Sequence, residues 1–292
     1  MTEKHIIGVD LGGTNIRVGK VKSNNIVDVY SQLISSNEPE KKVIDEIITS
    51  IYETFDNYVI GIGVGVPSIV DVRKGIVYDV QNIPSFKEVH LKKILEDEFK
   101  VPVYINNDAN CFAVGEKYFG AAKDYNNIIG LTIGTGLGAG IYTDGRLYLG
   151  ANCGAGEFGM LPYKESIYED YCSGKYFVNK LKTSGKETFD KAENGDRKAI
   201  KIFDDFGTHV GNAISAIMLA VDPELIVIGG SVSIAYKYFK DSIKKVLDNF
   251  PYQNSIKQLK IVKSELEQVS ILGAAALYFE NEDNIFKETE AL

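Results

Sequence analysis

Residues 6–21 read IIGVDLGGTNIRVGKV. Apolar residues run into Asp10. Leu11, Gly12, Gly13, Thr14 and Asn15 follow, and the apolar/polar alternation resumes at Ile16 and Val18. That order spells a strand, a tight glycine-containing turn and a second strand, a β-hairpin. Adjacent glycines let the backbone approach a bulky anion and leave its N–H groups uncovered. Thr14 and Asn15 add side-chain donors, and Asp10 stands where a hydrated Mg2+ could be held. An ordinary hairpin with a polar tip would read the same way.

The pattern recurs. Residues 128–143, IIGLTIGTGLGAGIYT, align with the first stretch at a constant offset, matching Ile6, Ile7, Gly8 and Gly12 with Ile128, Ile129, Gly130 and Gly134. A glycine-tipped hairpin opening each half of the chain points to a duplicated domain. Between the two, strands are predicted at 26–33, 60–66 and 101–105. A helix opening at Asn37 carries Val43, Ile44, Ile47, Ile48, Ile51, Tyr52 and Phe55 on one face, and further helices fall at 86–99 and from Asp108 to Phe119. This βββαβαβα order implies a mixed sheet covered by helices. The second half adds helices at 168–182 and 196–221, a buried strand at 225–228, a helix to Asn249, a strand near Ile261 and an Ala-rich helix at 270–279. Domain limits of 1–118 plus the C-terminal helix 270–292, and of 119–269, follow.

Composition narrows the class of function. The formal net charge of −8 over 292 residues argues against a nucleic-acid-binding surface. No apolar run reaches the length of a membrane span, and the first ten residues lack the order of a signal peptide. The three cysteines, Cys111, Cys153 and Cys172, show no zinc spacing, and their scarcity suits a reducing cytoplasm. His5, His90 and His209 form no ligand or triad pattern, so a general base would be a carboxylate.

Three glycine-rich turns each follow a buried strand: Gly12-Gly13-Thr14, Gly134-Thr135-Gly136 and Gly229-Gly230-Ser231. None ends in Gly-Lys-Ser/Thr as a P-loop does, and none is a dinucleotide fingerprint, because a strand resumes after Gly138 where a helix should begin. Two hairpin tips could clamp a polyphosphate with backbone N–H groups. The third turn, at the start of a helix, could hold the nucleoside. Asp108 ends a strand and begins a helix. Its plainer reading is an N-cap; the chemical one is a buried base that takes a proton from a substrate hydroxyl. Glu157 in GAGEFG and Glu169 in EDYCSG are either solvated charges or bidentate acceptors of paired sugar hydroxyls. Asn82 and Asn107 offer a donor and an acceptor each.

In order, DLGGTNIR, GVGVPS, NNDAN, IGTGLGAGI, GAGEFG, EDYCSG and LIVIGGS resemble the ROK family of bacterial sugar kinases over nearly the whole chain. The resemblance implies an actin-like (ribonuclease H-like) ATPase fold of two duplicated α/β domains with an interdomain active-site cleft. It implies ATP-dependent phosphorylation of the 6-hydroxyl of a hexose or N-acetylhexosamine by a cytoplasmic homodimer. It gives Asp108 the catalytic-base place, Asn82, Asn107, Glu157 and Glu169 the sugar, Gly12, Gly13, Thr14, Gly134, Thr135 and Gly136 the phosphates, Gly229 and Gly230 the nucleoside, and Asp10 the Mg2+–phosphate end. Two departures stand out. Met160 occupies the position after Gly159 where the family usually has His, and the cysteine cluster that with that His binds zinc is missing from LPYKESIYEDYCSG. No zinc is therefore expected, and Tyr163, Tyr168 and Tyr171 are expected to hold the Glu169 loop by packing. N-acetylmannosamine is the sugar expected, with glucose next. The family also includes sugar-responsive repressors with an N-terminal helix-turn-helix, which the five residues before Ile6 do not provide. A non-catalytic sugar- or nucleotide-binding protein is the third reading.

Overall fold

The computed structural model describes residues 4–80 and 82–290, with side chains described through residue 282. Two compact units divide the chain: Met1–Lys123 with Leu149–Ala155 and Leu266–Leu292, and Asp124–Tyr148 with Gly156–Glu265.

In the first unit the opening hairpin is β1 (His5–Leu11) and β2 (Asn15–Lys22), in a register that sets Asp10 opposite Arg17; β3 (Asn25–Leu33) pairs antiparallel with β2. Helix α1 (Glu40–Tyr52) buries Val43, Ile44, Ile47 and Ile51, the stripe its spacing dictates. Strand β4 (Val59–Val66) runs parallel to β1. A small sheet of β5 (Ile69–Asp71), β6 (Ile76–Tyr78) and β7 (Glu88–Val89) precedes α2 (Leu91–Phe99), β8 (Val103–Asn107) and α3 (Asp108–Tyr118). The main sheet has the order β3-β2-β1-β4-β8. Period-2 alternation gives it two apolar faces. Ile7, Val9 and Leu11 join α1 in one cluster, while Ile6 and Val21 meet Leu272 and Ala275 of the C-terminal helix in another.

The second unit contains β9 (Ile128–Ile133), β10 (Leu137–Thr143), β11 (Arg146–Tyr148), the short hairpin β12 (Pro162–Tyr163) and β13 (Ser166–Ile167), α4 (Tyr168–Cys172), α5 (Gly185–Glu193), α6 (Arg197–Val221), β14 (Leu225–Gly229), α7 (Tyr236–Leu247), α8 (Gln253–Gln258) and β15 (Lys260–Lys263). Its sheet order, β11-β10-β9-β14-β15, repeats that of the first unit. In both sheets an antiparallel hairpin is followed on its other side by parallel strands, as the actin-like ATPase fold requires. The C-terminal helix, α9 (Val269–Glu290), returns to the first unit. Among the described residues no helix is long and apolar enough to cross a membrane.

Local structure departs from the sequence reading in three places. Residues 86–90 are not helical: the Phe86 N–H closes a turn on the Ile83 carbonyl (2.9 Å), and β7 pairs with β6, so the helix waits until Leu91. Helix α1 begins after Pro39 and stops at Tyr52, leaving Phe55 in the turn beyond it. The helix predicted over 168–182 breaks at Ser173, which is extended, and resumes as a π-helical turn at Tyr176–Lys180. The Gly174 N–H is drawn out of helical register to the Gly134 carbonyl, at 2.7 Å.

Candidate active site

In the first unit the β1–β2 turn closes when the Gly12 N–H donates to the Asn15 carbonyl (2.9 Å). The Gly13 and Thr14 N–H groups lie outside that closure, at an exposed tip. Gly13 is required by approach, not by an unusual φ: a Cβ there would lie 2.1 Å from the Asn82 Cβ. The first phosphate-type turn and the first candidate sugar residue thus touch. Asp10 is engaged by Arg17, whose Nε donates to Oδ2 at 3.1 Å and whose Nη2 reaches both Oδ2 and the Ser270 Oγ (2.9 Å). Arg17 is readable in hindsight as the residue opposite Asp10 across the hairpin.

At the same end of the sheet, where parallel β8 finishes, Asn107 is the N-cap of α3. Its Oδ1 accepts the Ala109 N–H (2.9 Å), and its Nδ2 donates to the Ser68 carbonyl (3.3 Å). Asp108 is therefore not the cap. It is also not buried, as the base reading had supposed: the first residue of a helix projects from the end of the sheet, and Asp108 is exposed, with Oδ1 accepting the Ala109 N–H at 2.8 Å. That position leaves its carboxylate within reach of an alcohol and beside the positive end of the helix. Two buried neighbours went unread in the sequence. Asn106 Oδ1 accepts from Asn110 Nδ2 (3.0 Å) and from the Cys153 thiol (3.4 Å), which fastens the segment Leu149–Ala155 to the start of α3.

In the second unit the matching turn closes through the Gly134 N–H to the Gly136 carbonyl (3.0 Å), with Thr135 exposed at the tip. Gly229 ends β14 beside β9 and Gly230 follows it, and a Cβ on Gly134 would come 3.9 Å from the Ser231 Oγ, so the second and third glycine turns are neighbours. Glu169, in the first turn of α4, lies against the second turn. Its Oε2 accepts the Leu137 N–H (3.0 Å) and its Oε1 accepts the Lys175 ammonium (2.6 Å). Glu157 begins the 3-10 turn Phe158–Met160. Although the residue is exposed, its carboxyl is held above the usual range, first by desolvation and then by the negative charge of Glu169. The two candidate sugar carboxylates are therefore close enough to feel each other.

Both glutamates belong to one ribbon. The Tyr168 N–H donates to the Leu161 carbonyl (3.0 Å) across β12–β13. Tyr163 stacks on Tyr168 at 4.4 Å and meets Tyr171 edge-on at 5.3 Å. Tyr163 Oη lies 3.0 Å from His209 Nδ1 on α6, and Tyr168 Oη donates to the Asn212 carbonyl. Burial lowers the His209 pKa to about 4, helped by Lys164 and Lys180 and opposed by Asp205. A neutral, buried His209 whose unfolded counterpart titrates at 6.5 makes the folded state bind fewer protons. Stability is then full above pH 6.5 and is lost as pH falls from 6.5 toward 4. Urea titrations across that window are expected to show a falling midpoint that His209→Gln flattens, and Tyr163→Phe should cost about 1 kcal/mol. A midpoint indifferent to both changes would remove His209 from the account.

Among the described residues no cluster of three or more His, Cys, Asp or Glu could hold a metal ion. Mg2+ asks less of a protein, being commonly held by one or two carboxylates and the substrate's phosphates. Asp10 fits that demand, since the Arg17 bonds fall on Oδ2 and leave Oδ1 for a hydrated ion.

Two sheets of matching order, each opening on a glycine-tipped hairpin flanked by parallel strands, define the actin-like ATPase fold. The ROK family profile matches residues 6–281, and the chain belongs to the ROK family. It is 31% identical to a glucokinase of Thermotoga maritima, over 95% of this chain and 98% of that one. It is 28% identical to a xylose repressor of Bacillus spizizenii, over 96% of this chain and 78% of the repressor. A ROK family glucokinase from Streptomyces griseus, solved with glucose and AMPPNP, superposes with a TM-score of 0.78 at 26% identity, covering 94% of this chain and 98% of that one.

Proposed function

We propose that this chain transfers the γ-phosphoryl group of ATP to the 6-hydroxyl of a hexose or N-acetylhexosamine. The observation carrying the reading is Glu169, a candidate sugar ligand, hydrogen-bonded to the backbone of a candidate phosphate turn. Such coupling is what a phosphotransferase needs and a sugar sensor does not. Asp108 takes the hydroxyl proton as O6 forms its bond to phosphorus and the bond to the ADP oxygen breaks. Asn82, Asn107, Glu157 and Glu169 orient the sugar, and the turns at Gly12–Thr14 and Gly134–Gly136 direct N–H groups at the phosphates. Asp10 would hold Mg2+, which neutralises phosphate charge when bound.

N-acetylmannosamine is the substrate we favour. Met160, 58% exposed, follows Glu157 in the same 3-10 turn, and its thioether offers apolar surface to an N-acyl methyl where the family's His would donate to a hydroxyl. Glucose is the second reading, supported by the glucokinase relatives. A coupled ADP-release assay across glucose, N-acetylglucosamine, N-acetylmannosamine, fructose and allose decides between them; release independent of every sugar would refute both. Glu157 must be ionised to accept hydroxyls, so kcat/KM for the sugar is expected to fall with decreasing pH from a higher pH than an ordinary glutamate would impose. Glu157→Gln should shift that acid limb to lower pH, since the base carboxylate must still be ionised.

A further inference from the structure

Lys175 lies just past the EDYCSG motif and has no role in the reading above. Its backbone is fixed on both sides. Its N–H donates to the Ser173 Oγ (3.2 Å), which itself donates to the Glu169 carbonyl (2.7 Å), and the preceding Gly174 N–H donates to the Gly134 carbonyl (2.7 Å). From that anchored start the side chain turns back six residues to place Nζ 2.6 Å from Glu169 Oε1, while the Leu137 N–H holds Oε2. The Lys175 side chain is 41% exposed and that of Glu169 20%. An ion pair this open adds little to stability. Its place is what matters, since it joins a candidate sugar carboxylate to the second glycine turn.

We propose that Lys175 is a positioning residue for sugar recognition, its ammonium fixing the Glu169 carboxylate against the Gly134–Leu137 turn so that the remaining lone pairs face the sugar's hydroxyls. The proposal rests on the sugar-kinase reading. A carboxylate offers about four acceptor sites, so two donors on Glu169 leave capacity for two hydroxyls while removing its freedom to rotate. Charge supports the same arrangement. The hydrogen bond to Glu169 raises the Lys175 pKa, with Asp170 adding to it, so the ammonium persists at neutral pH. Glu157 already feels the Glu169 charge, and Lys175 offsets that charge at its source.

Lys175→Met and Lys175→Arg test this by steady-state kinetics with glucose and N-acetylmannosamine over mildly acidic to mildly alkaline pH. For Lys175→Met the sugar KM is expected to rise roughly tenfold, with the ATP KM unchanged. The acid limb of kcat/KM should move to higher pH as Glu157 meets an uncompensated Glu169, and Lys175→Arg should restore most of both. The split between the sugar and ATP KM values, together with the moved limb, separates positioning from a general loss of structure. Sugar-dependent ADP release in which Lys175→Met keeps the wild-type sugar KM and acid limb would overturn this proposal alone. A wild-type chain with no sugar-dependent release would overturn the kinase reading and this proposal with it.

Discussion

Asp108→Asn is expected to lower kcat by about 10²–10⁴-fold, the range for losing a general base, or roughly 3–5 kcal/mol of barrier. Sugar and ATP affinities should stay near wild type. The amide is nearly isosteric, and its oxygen can still accept the Ala109 N–H that Asp108 Oδ1 accepts at 2.8 Å. Helix α3 is capped by Asn107, so the substitution leaves the cap intact. What disappears is a carboxylate able to take a proton. Exposure is no obstacle to the role, since a base must be reached by its substrate. ADP release measured at saturating sugar and ATP, with sugar binding followed by calorimetry, checks the prediction. Retained turnover with lost sugar affinity would make Asp108 a ligand and leave the base unassigned.

The architecture was legible because it is written in periodicity. Ile6 to Val21 alternates, turns on two glycines and alternates again, and its echo at Ile128 announced the second sheet; both hairpins form with the same strand order around them. What stayed hidden depends on partners distant in sequence. The 168–182 helix looked continuous because nothing local to Ser173 and Gly174 reveals that Gly134, far back in the chain, claims the Gly174 N–H. The β5–β6–β7 sheet was missed because strands of two or three residues carry no period. Asp108 was assigned burial by its chemistry, whereas its exposure follows from being the first residue of a helix after a strand. The tyrosines expected to brace the Glu169 loop do pack together, but what anchors them to α6 went unread: Tyr163 and Tyr171 meet His209, an isolated histidine in the sequence, and Tyr168 reaches the Asn212 carbonyl.

Gly63→Val is expected to destabilise the first unit by about 3 kcal/mol, at the upper end of the overpacking range. Gly63 lies in β4 directly opposite Gly8 of β1, and this pair of glycines forms the floor on which α9 rests. A Cβ on Gly63 would fall 1.7 Å from the Ala274 carbonyl oxygen, and one on Gly8 would fall 2.1 Å from that of Ile271. Backbone cannot yield as a flexible side chain can, so the helix must lift. Two smaller effects act the other way. Valine suits a strand better than glycine, and replacing glycine recovers about 0.5–1 kcal/mol of backbone entropy. A net loss therefore isolates the clash. Gly154→Ala, where a Cβ meets nothing within 4 Å, is the control: with the entropy gain and no clash, it should not lower the urea midpoint. The lifted helix has a second consequence. Ser270 near the start of α9 accepts from Arg17 Nη2 at 2.9 Å, and Arg17 in turn holds Asp10. Displacing α9 loosens that hold, so the remaining folded Gly63→Val protein should bind ATP–Mg2+ more weakly, with sugar binding less affected. Equal unfolding midpoints for Gly63→Val and wild type would show that α9 does not need the bare strand surface these glycines provide.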